Sequence, residues 1–345
     1  MRVAVVGATG QAGTVIRSVL AQRGFPVDEI RYVASARSEG SRLDWDGREV
    51  AVEDCAKASF DGVDLVLMAA GKGTSKEHAP RMVEDGAIVV DNSSAWRMDP
   101  EVPLVVPEVN EDALGSIPKG IVANPNCTAM VAMPVLAPIH KAAGLKRVVV
   151  ATYQAVSGAG LAGVRELEEQ VAKTADQAEG LTLSGSAVEY PPHTVFAEPI
   201  AHNVVPYAGS LVDDGLGETD EEKKYRDESR KILGIPDLRL VCTCVRVPVF
   251  CGHGAALSLE LDRELSAADA TEILSCAPGV VLSEIPTPLR VAGGDVSAVG
   301  RIRTDETVEH GLSLFVCGDN LRKGAALNAV QIAESLIKIG RLPAA

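Results

Sequence analysis

The sequence predicts an α/β protein with an N-terminal Rossmann-like, doubly wound sheet and a second, α+β domain. Three observations predict it. A chain of 345 residues, 46% of them hydrophobic, can bury a large core, and at roughly 150 residues per domain it divides into about two domains. The segment Gly7-Ala8-Thr9-Gly10-Gln11-Ala12-Gly13 puts a glycine at every third position directly after an apolar run, the arrangement in which a strand turns into a helix around a pyrophosphate. Short β-branched runs alternate with helical stretches in the first third and give way, from about Lys146, to longer strand candidates.

Taken in order, Val3–Val6, Ile30–Ala34, Leu65–Met68, Ile88–Val90 and Leu104–Val106 are continuous apolar runs, as expected of parallel strands covered on both faces. Thr14–Arg23 reads as the helix between the first two, which makes a βαβ unit. In the second half Arg147–Tyr153, Leu238–Val249, Ala255–Leu261 and Leu312–Val316 read as strands, and Gly163–Ala178 as a polar helix. Val204–Asp220, rich in glycine, proline and acids, reads as a long surface loop, of a length that goes with function or an interface. Lys323–Ile339 carries Val330, Ala333, Leu336 and Ile337 at helical spacing and is expected to be an amphipathic helix.

The formal net charge of -14 argues against nucleic acid and anionic membrane as partners, because both need clustered cations. An anionic small molecule is still compatible, provided that a few arginines are aimed at it. The N-terminal apolar run is too short for a secretory h-region or a spanning helix, so a cytoplasmic location is expected. Seven scattered cysteines, at 55, 127, 242, 244, 251, 276 and 317, suit reduced thiols better than a disulfide framework. No Cys-x-x-Cys pair occurs, so no metal is expected.

The glycine turn nominates Gly7, Thr9, Gly10, Gln11 and Ala12 for a dinucleotide. A NAD-selective site closes its second strand with an acid roughly 20 residues on, bound to the ribose. Here that strand ends in Ser35-Ala36-Arg37-Ser38, where one arginine and two hydroxyls suit a 2′-phosphate. The expected cofactor is NADP (NADPH).

Asn124-Pro125-Asn126-Cys127-Thr128 precedes a stretch of helical composition, Ala129–Lys141. Asn126 is then the N-cap, and Cys127 sits where the helix dipole and free N–H groups favour a thiolate. The plainer reading, a buried structural cysteine, is the default for Cys55, Cys242, Cys244, Cys276 and Cys317. Of six histidines, His253 stands between two strands in Phe250-Cys251-Gly252-His253-Gly254, where glycines leave room for a substrate. His140, more than three turns along the helix from Cys127, is expected at the surface. Arg246 shares an alternation face with Leu238, Leu240, Cys242 and Cys244. A guanidinium there requires an anionic partner, either a substrate carboxylate or a structural acid.

These segments resemble the aspartate-semialdehyde dehydrogenase family. The matching pieces are Gly7–Gly13, Ser35–Ser38, Asp91-Asn92-Ser93-Ser94-Ala95-Trp96-Arg97, Asn124–Thr128, Gln154 with Ser157-Gly158-Ala159-Gly160, Cys244–His253, and Gly318–Ala326, in the family's order across nearly the whole chain. The resemblance implies that Cys127 is the acyl-thioester nucleophile, His253 the proton acceptor and donor, and Gln154 the residue that orients the intermediate. It implies that Arg246 holds the substrate α-carboxylate, Glu221 its amino group, and Arg97 with Lys224 the phosphate; Thr219 and Glu222 would cap the helix carrying Glu221 and Lys224. From pattern alone, Glu221 and Lys224 read as a solvated ion pair.

For the cofactor, Thr9, Gly10, Gln11, Ala12, Ser35, Arg37, Ser38, Ser157, Gly158 and Asn320 are carried over. The reaction implied interconverts L-aspartate 4-semialdehyde, phosphate and NADP with 4-aspartyl phosphate and NADPH, in the biosynthesis of lysine, threonine and methionine. The domains implied are 1–126 plus 319–345 for NADP and 127–318 for catalysis and dimerisation, with the C-terminal helix returning to the first. A homodimer is expected, with a tetramer compatible. The competing readings are an acyl-phosphate reductase of the N-acetylglutamyl type, which has no use for Glu221, and a non-catalytic NADP-binding sensor or assembly protein.

Overall fold

A computed structural model describes residues 1–343. The chain runs β1 (Arg2–Val6), α1 (Gln11–Gln22), β2 (Glu29–Ala34), β3 (Arg42–Trp45), β4 (Arg48–Asp54), β5 (Leu65–Met68), α2 (Lys72–Glu84), β6 (Ile88–Asp91), α3 (Pro107–Asn110), β7 (Ile121–Ala123) and α4 (Cys127–Ala143). It continues with β8 (Leu145–Gln154), α5 (Gly160–Thr174), α6 (Asp220–Leu233), β9 (Arg239–Arg246), β10 (His253–Leu261), α7 (Ala267–Ser275), β11 (Val280–Leu282), α8 (Pro288–Val291), β12 (Ser297–Asp305), β13 (Gly311–Gly318) and α9 (Leu327–Lys338). Two compact units result. One comprises Met1–Pro134, Asp227–Pro236 and Leu321 onward, and the other Val135–Arg226 and Asp237–Asn320.

The first unit is built on a seven-stranded sheet in the order β3-β4-β2-β1-β5-β6-β7. All pairs are parallel except β3 with β4, so the strand order reverses at β1, where open α/β sheets bind ligands. Continuous burial of β1 and β5 is what two covered faces demand. The antiparallel edge is a hairpin whose two-residue turn, Asp46-Gly47, has positive φ at both positions (49° and 75°). That backbone matches strand twist and favours Asp-Gly. The amphipathic tail becomes α9, which buries Val330, Ala333 and Leu336 in the same core as Val3, Val5, Ile16 and Leu20. Its first predicted turn, Arg322–Ala326, is instead a wider π turn. There the buried Lys323 ammonium reaches Glu108 (2.6 Å), Asn328 (3.0 Å) and Gln331 (3.0 Å).

One expected strand does not form. Leu104–Val106 contributes only a single bridge, Leu104 to Ala123. Proline brackets it at 103 and 107, and side chains take several of its backbone groups: Asn110 accepts the Val106 N–H (2.9 Å) and donates to the Leu104 carbonyl (2.9 Å), and Asn328 donates to the Val105 carbonyl (2.9 Å).

The second unit carries a six-stranded mixed sheet, β11-β12-β13-β10-β8-β9. β8 pairs parallel with β9 and antiparallel with β10. One face is buried through Val148, Val150, Leu257, Leu259, Leu312 and Leu314, as period-2 alternation requires. Val204–Thr219 is irregular apart from bridges at Val205 and Leu211. It ends in the expected capping box: Glu222 accepts the Thr219 N–H (2.8 Å) and Thr219 Oγ1 accepts the Glu222 N–H (3.3 Å). His140 is not a surface residue; it is half-buried, and its Nδ1 accepts the Leu145 N–H (3.0 Å) where the chain turns from α4 into β8. Among the described residues no helix is long and apolar enough to cross a membrane.

Candidate active site

In the first unit, β7 leads through Asn124 and Pro125 to Asn126, whose carbonyl accepts the Met130 N–H (2.9 Å) and whose Oδ1 accepts the Thr128 N–H (2.9 Å). Asn126 is therefore the N-cap, and Cys127, half-buried, is the first helical residue, at the positive end of the helix dipole. Asn124 braces the loop by donating to Asn92 Oδ1 (2.6 Å) and the Ala325 carbonyl (2.9 Å) and by accepting from Asn328 (2.7 Å).

Arg97, in the turn that follows β6, is only 8% exposed. Its Nε donates to the Asn124 carbonyl (2.9 Å), one terminal nitrogen to Glu228 Oε1 (3.0 Å) and the other to the Asn92 carbonyl (2.8 Å). Of the five guanidinium N–H groups, these three bonds leave one on each terminal nitrogen, enough for two oxygens of an oxyanion.

The dinucleotide turn is also in this unit. Gly7 has φ +81°, and a Cβ there would stand 2.5 Å from the Ala69 carbonyl oxygen; a Cβ on Gly13 would stand 2.2 Å from that of Gly7. Both glycines are therefore required by backbone approach. No side chain caps Gly10, so the first turn of α1, with Gln11 and Ala12, presents its N–H groups as an anion cradle. Thr9 Oγ1 lies 3.3 Å from Ser38 Oγ, joining this turn to the short 3-10 turn Ala36–Ser38, where Ser35 and Arg37 are exposed. Glu39, the acid nearest to this turn, is paired with Lys57 (2.9 Å).

The second unit gathers the other residues at one end of its sheet. Parallel register puts Gln154, the last residue of β8, opposite Arg246, the last of β9. Antiparallel register starts β10 at His253, one position beyond the Tyr153–Gly254 pair. His253 is fully buried and its Nδ1 accepts the Ala155 N–H (3.0 Å), so the neutral ring carries its proton on Nε2. That nitrogen has no hydrogen-bond partner among the described residues. Burial first, and then the Arg246 charge, push the His253 pKa well below 6.5, so the ring is neutral at pH 7.

Arg246 donates to the Ala155 carbonyl (3.2 Å). A Cβ on Gly158 would stand 2.7 Å from an Arg246 terminal nitrogen and 3.1 Å from His253 Nε2, so this glycine keeps open the space that both groups face. Gly158→Ala is expected to fold normally but to lower kcat/KM by about 10- to 100-fold, because small displacements of reacting groups are costly; steady-state kinetics beside a thermal melt check it, and wild-type kcat/KM would refute the role given to this space.

Gln154 Nε2 lies 3.4 Å from Glu221 Oε1. Lys224, one turn on, contacts Asp220 (2.5 Å) and Glu221 (3.6 Å). Glu221 is thus tied to Gln154 as well as to Lys224, and the pair is not simply solvated. Asn320 accepts the Gly252 N–H (2.8 Å) and donates to Ser157 Oγ (2.9 Å), holding the turn before His253 to the segment that contains Gly158.

The remaining cysteines separate on burial. Burial and then Asp319 push the Cys251 thiol up to about 12, and burial pushes Cys317 up to about 12 and Cys55 upward too. Cys242 is raised by its hydrogen bond with Cys244 and by burial. Cys276, expected to be buried, is exposed, because α7 ends at Ser275 and leaves it in the turn that follows.

Residues 2–117 match the family described as "Semialdehyde dehydrogenase, NAD binding domain", and residues 136–323 "Semialdehyde dehydrogenase, dimerisation domain". The aspartate-semialdehyde dehydrogenase of Streptomyces akiyoshiensis is 62% identical over 334 residues, covering 97% of this chain and 98% of that one. The Corynebacterium glutamicum enzyme is 54% identical over 341 residues, covering 97% and 99%. The chain belongs to the aspartate-semialdehyde dehydrogenase family. The crystal structure of aspartate semialdehyde dehydrogenase II from Vibrio cholerae, complexed with ASA, superposes with a TM-score of 0.91 at 41% identity, covering 98% of each chain.

Within this semialdehyde dehydrogenase fold, sequence reasoning missed Glu228 and Lys231. Glu228 is 1% exposed and binds Arg97. The Lys231 ammonium donates to the carbonyls of Arg97, Asp99 and Val102, each at 2.8 Å. A signal was available: Glu221, Lys224, Glu228 and Lys231 stand at i, i+3, i+7 and i+10, a single helical stripe.

Proposed function

We propose that the chain interconverts L-aspartate 4-semialdehyde plus phosphate with 4-aspartyl phosphate through a thioester on Cys127. The observation that carries this reading is the space beside Gly158, bounded by an arginine suited to a carboxylate and by a neutral imidazole with an uncommitted Nε2. Arg246 binds the substrate α-carboxylate through two parallel N–H bonds. Glu221 takes its amino group, and Gln154 orients the reacting carbonyl.

The Cys127 thiolate adds to the aldehyde carbon, giving a thiohemiacetal, and oxidation of that carbon leaves the acyl group on sulfur. NADP, whose diphosphate fits the cradle of Gly7, Gly10 and α1 and whose 2′-phosphate fits Arg37, Ser35 and Ser38, supplies the hydride acceptor. Thr9, Gln11, Ala12, Ser157, Gly158 and Asn320 complete the residues assigned to it. Arg97 and Lys224 then hold phosphate, which displaces sulfur and releases the acyl phosphate.

His253 exchanges the proton at the substrate oxygen. Its Nε2–H serves the reductive direction directly, as a hydrogen bond to the oxygen on which charge develops. Taking up the hydroxyl proton in the oxidative direction requires the other neutral tautomer, with its proton on Nδ1 and the Ala155 N–H bond broken; Nε2 then accepts, and the resulting imidazolium returns that proton in the reductive direction. The enzyme works as a cytoplasmic homodimer in this reading; Val241, 52% exposed on β9, lies on the less buried face of the second sheet, where a partner would cover it.

The deciding assay is oxidation of L-aspartate semialdehyde with NADP, with and without phosphate. Steady turnover that requires phosphate is expected. Equal turnover without it overturns the acyl-phosphate product.

A further inference from the structure

The buried carboxylate of Glu228 bridges two donors. Its Oε1 accepts from the Arg97 guanidinium (3.0 Å), and its Oε2 accepts the backbone N–H of Asn126 (2.6 Å), the cap residue directly before Cys127. Measured against an apolar pair a buried ion pair contributes little net stability, because desolvation offsets the attraction, but once formed neither partner can be removed alone without leaving the other charge buried. An apolar side chain in its place would leave the buried Arg97 guanidinium and the Asn126 N–H without this acceptor. The carboxylate does something that an apolar side chain cannot do, which is to hold two donors at a fixed separation.

We infer that Glu228 is a positioning residue for the phosphate step: by bridging Arg97 and the cap of the nucleophile's helix, it sets the guanidinium in register with the Cys127 thioester that phosphate must attack. This rests on the reading of Arg97 as a phosphate ligand. Three features converge on it. Arg97 is held at all three nitrogens, its other two bonds going to the carbonyls of Asn92 and Asn124. Two of its anchors, Asn124 and the Glu228–Asn126 link, belong to the loop that carries Cys127. Lys231, one turn beyond Glu228, ties the 97–102 backbone to the same helix through three carbonyls. Burial pulls the Lys231 pKa down, while Asp99 and Glu228 oppose the shift.

The substitution that tests this is Glu228→Gln. The side chain keeps its length but only one oxygen acceptor. The shorter bond, to Asn126, retains that oxygen, and Arg97 then faces an NH2 group with nothing to accept its hydrogen. Phosphate attack in the full enzyme, assayed with NADP and L-aspartate semialdehyde, should show the phosphate KM raised about tenfold while the aldehyde KM changes by less than about twofold.

In an Arg97→Gln background the same substitution should add less than about twofold to the phosphate KM, because the pair acts as a unit. Glu228→Asp, charged but too short to span both donors, should raise the phosphate KM in the same direction, and it serves as the test should the glutamine variant not fold. Additive effects in the double variant, or equal losses in both KM values, overturn the proposal and leave Glu228 a structural residue. Phosphate-independent turnover in the wild type is a different failure, since it removes the reading on which the proposal stands.

Discussion

Replacing Cys127 with alanine is expected to lower turnover by roughly 10⁴-fold or more while NADPH binding survives. In the proposed mechanism the sulfur forms the covalent intermediate, so no neighbouring group can inherit its work by small adjustment. The other cysteines are poor substitutes on physical grounds: burial holds Cys55, Cys251 and Cys317 as thiols at neutral pH, and a thiol is a weak nucleophile beside a thiolate. Cofactor binding should persist because Gly7, Gly10 and α1 form their cradle from backbone that Cys127 does not support. Fluorescence titration with NADPH beside a turnover assay separates the two. Appreciable residual turnover would remove Cys127 from the mechanism.

Removing the Arg246 guanidinium, as in Arg246→Met, should lower kcat/KM by roughly 10²- to 10³-fold, the loss expected for two charge-assisted bonds to a carboxylate. A second consequence follows from its charge near His253. Burial is the larger cause of the depressed His253 pKa and the Arg246 charge the smaller, so the methionine variant should move that pKa part of the way back up. In the proposed mechanism the neutral ring is the competent form, so the acid limb of the pH–rate profile is expected to move to higher pH. Arg246→Lys keeps the charge but loses the fork; its substrate KM should rise with the acid limb in place. A limb that stays put in the methionine variant would refute the coupling.

The same shift has a sign in folding. Unfolded His253 gains a proton near 6.5 and the folded ring only well below it, so its contribution to stability is complete above about pH 6.5 and declines as pH falls towards the folded value.

Much of the site was legible because its signals are local. Gly7 to Gly13 and Asn126 to Cys127 are read from spacing, since a strand, a turn and a helix start depend on residues within a few positions of one another. Asp46-Gly47 was as legible a turn signal and was passed over, and the hairpin at the sheet edge was missed with it. Leu104–Val106 misled because apolarity marks burial, while strand formation also needs backbone donors and acceptors, several of which the Asn110 and Asn328 side chains take.

By itself the sequence determined the α/β class, the family, the dinucleotide turn and the place of Cys127 at the mouth of a helix. Only the tertiary structure decided that Gln154, Arg246 and His253 meet at one end of adjacent strands, the first two ending β8 and β9 and the third starting β10, that Arg97 is a buried strut on Glu228, and that the His253 ring is neutral with its proton on Nε2. The reason is range. Helix caps and glycine turns are governed by neighbours in the chain, whereas strand register, burial and the field at a titrating group are set by residues about a hundred positions apart, whose meeting no local pattern encodes.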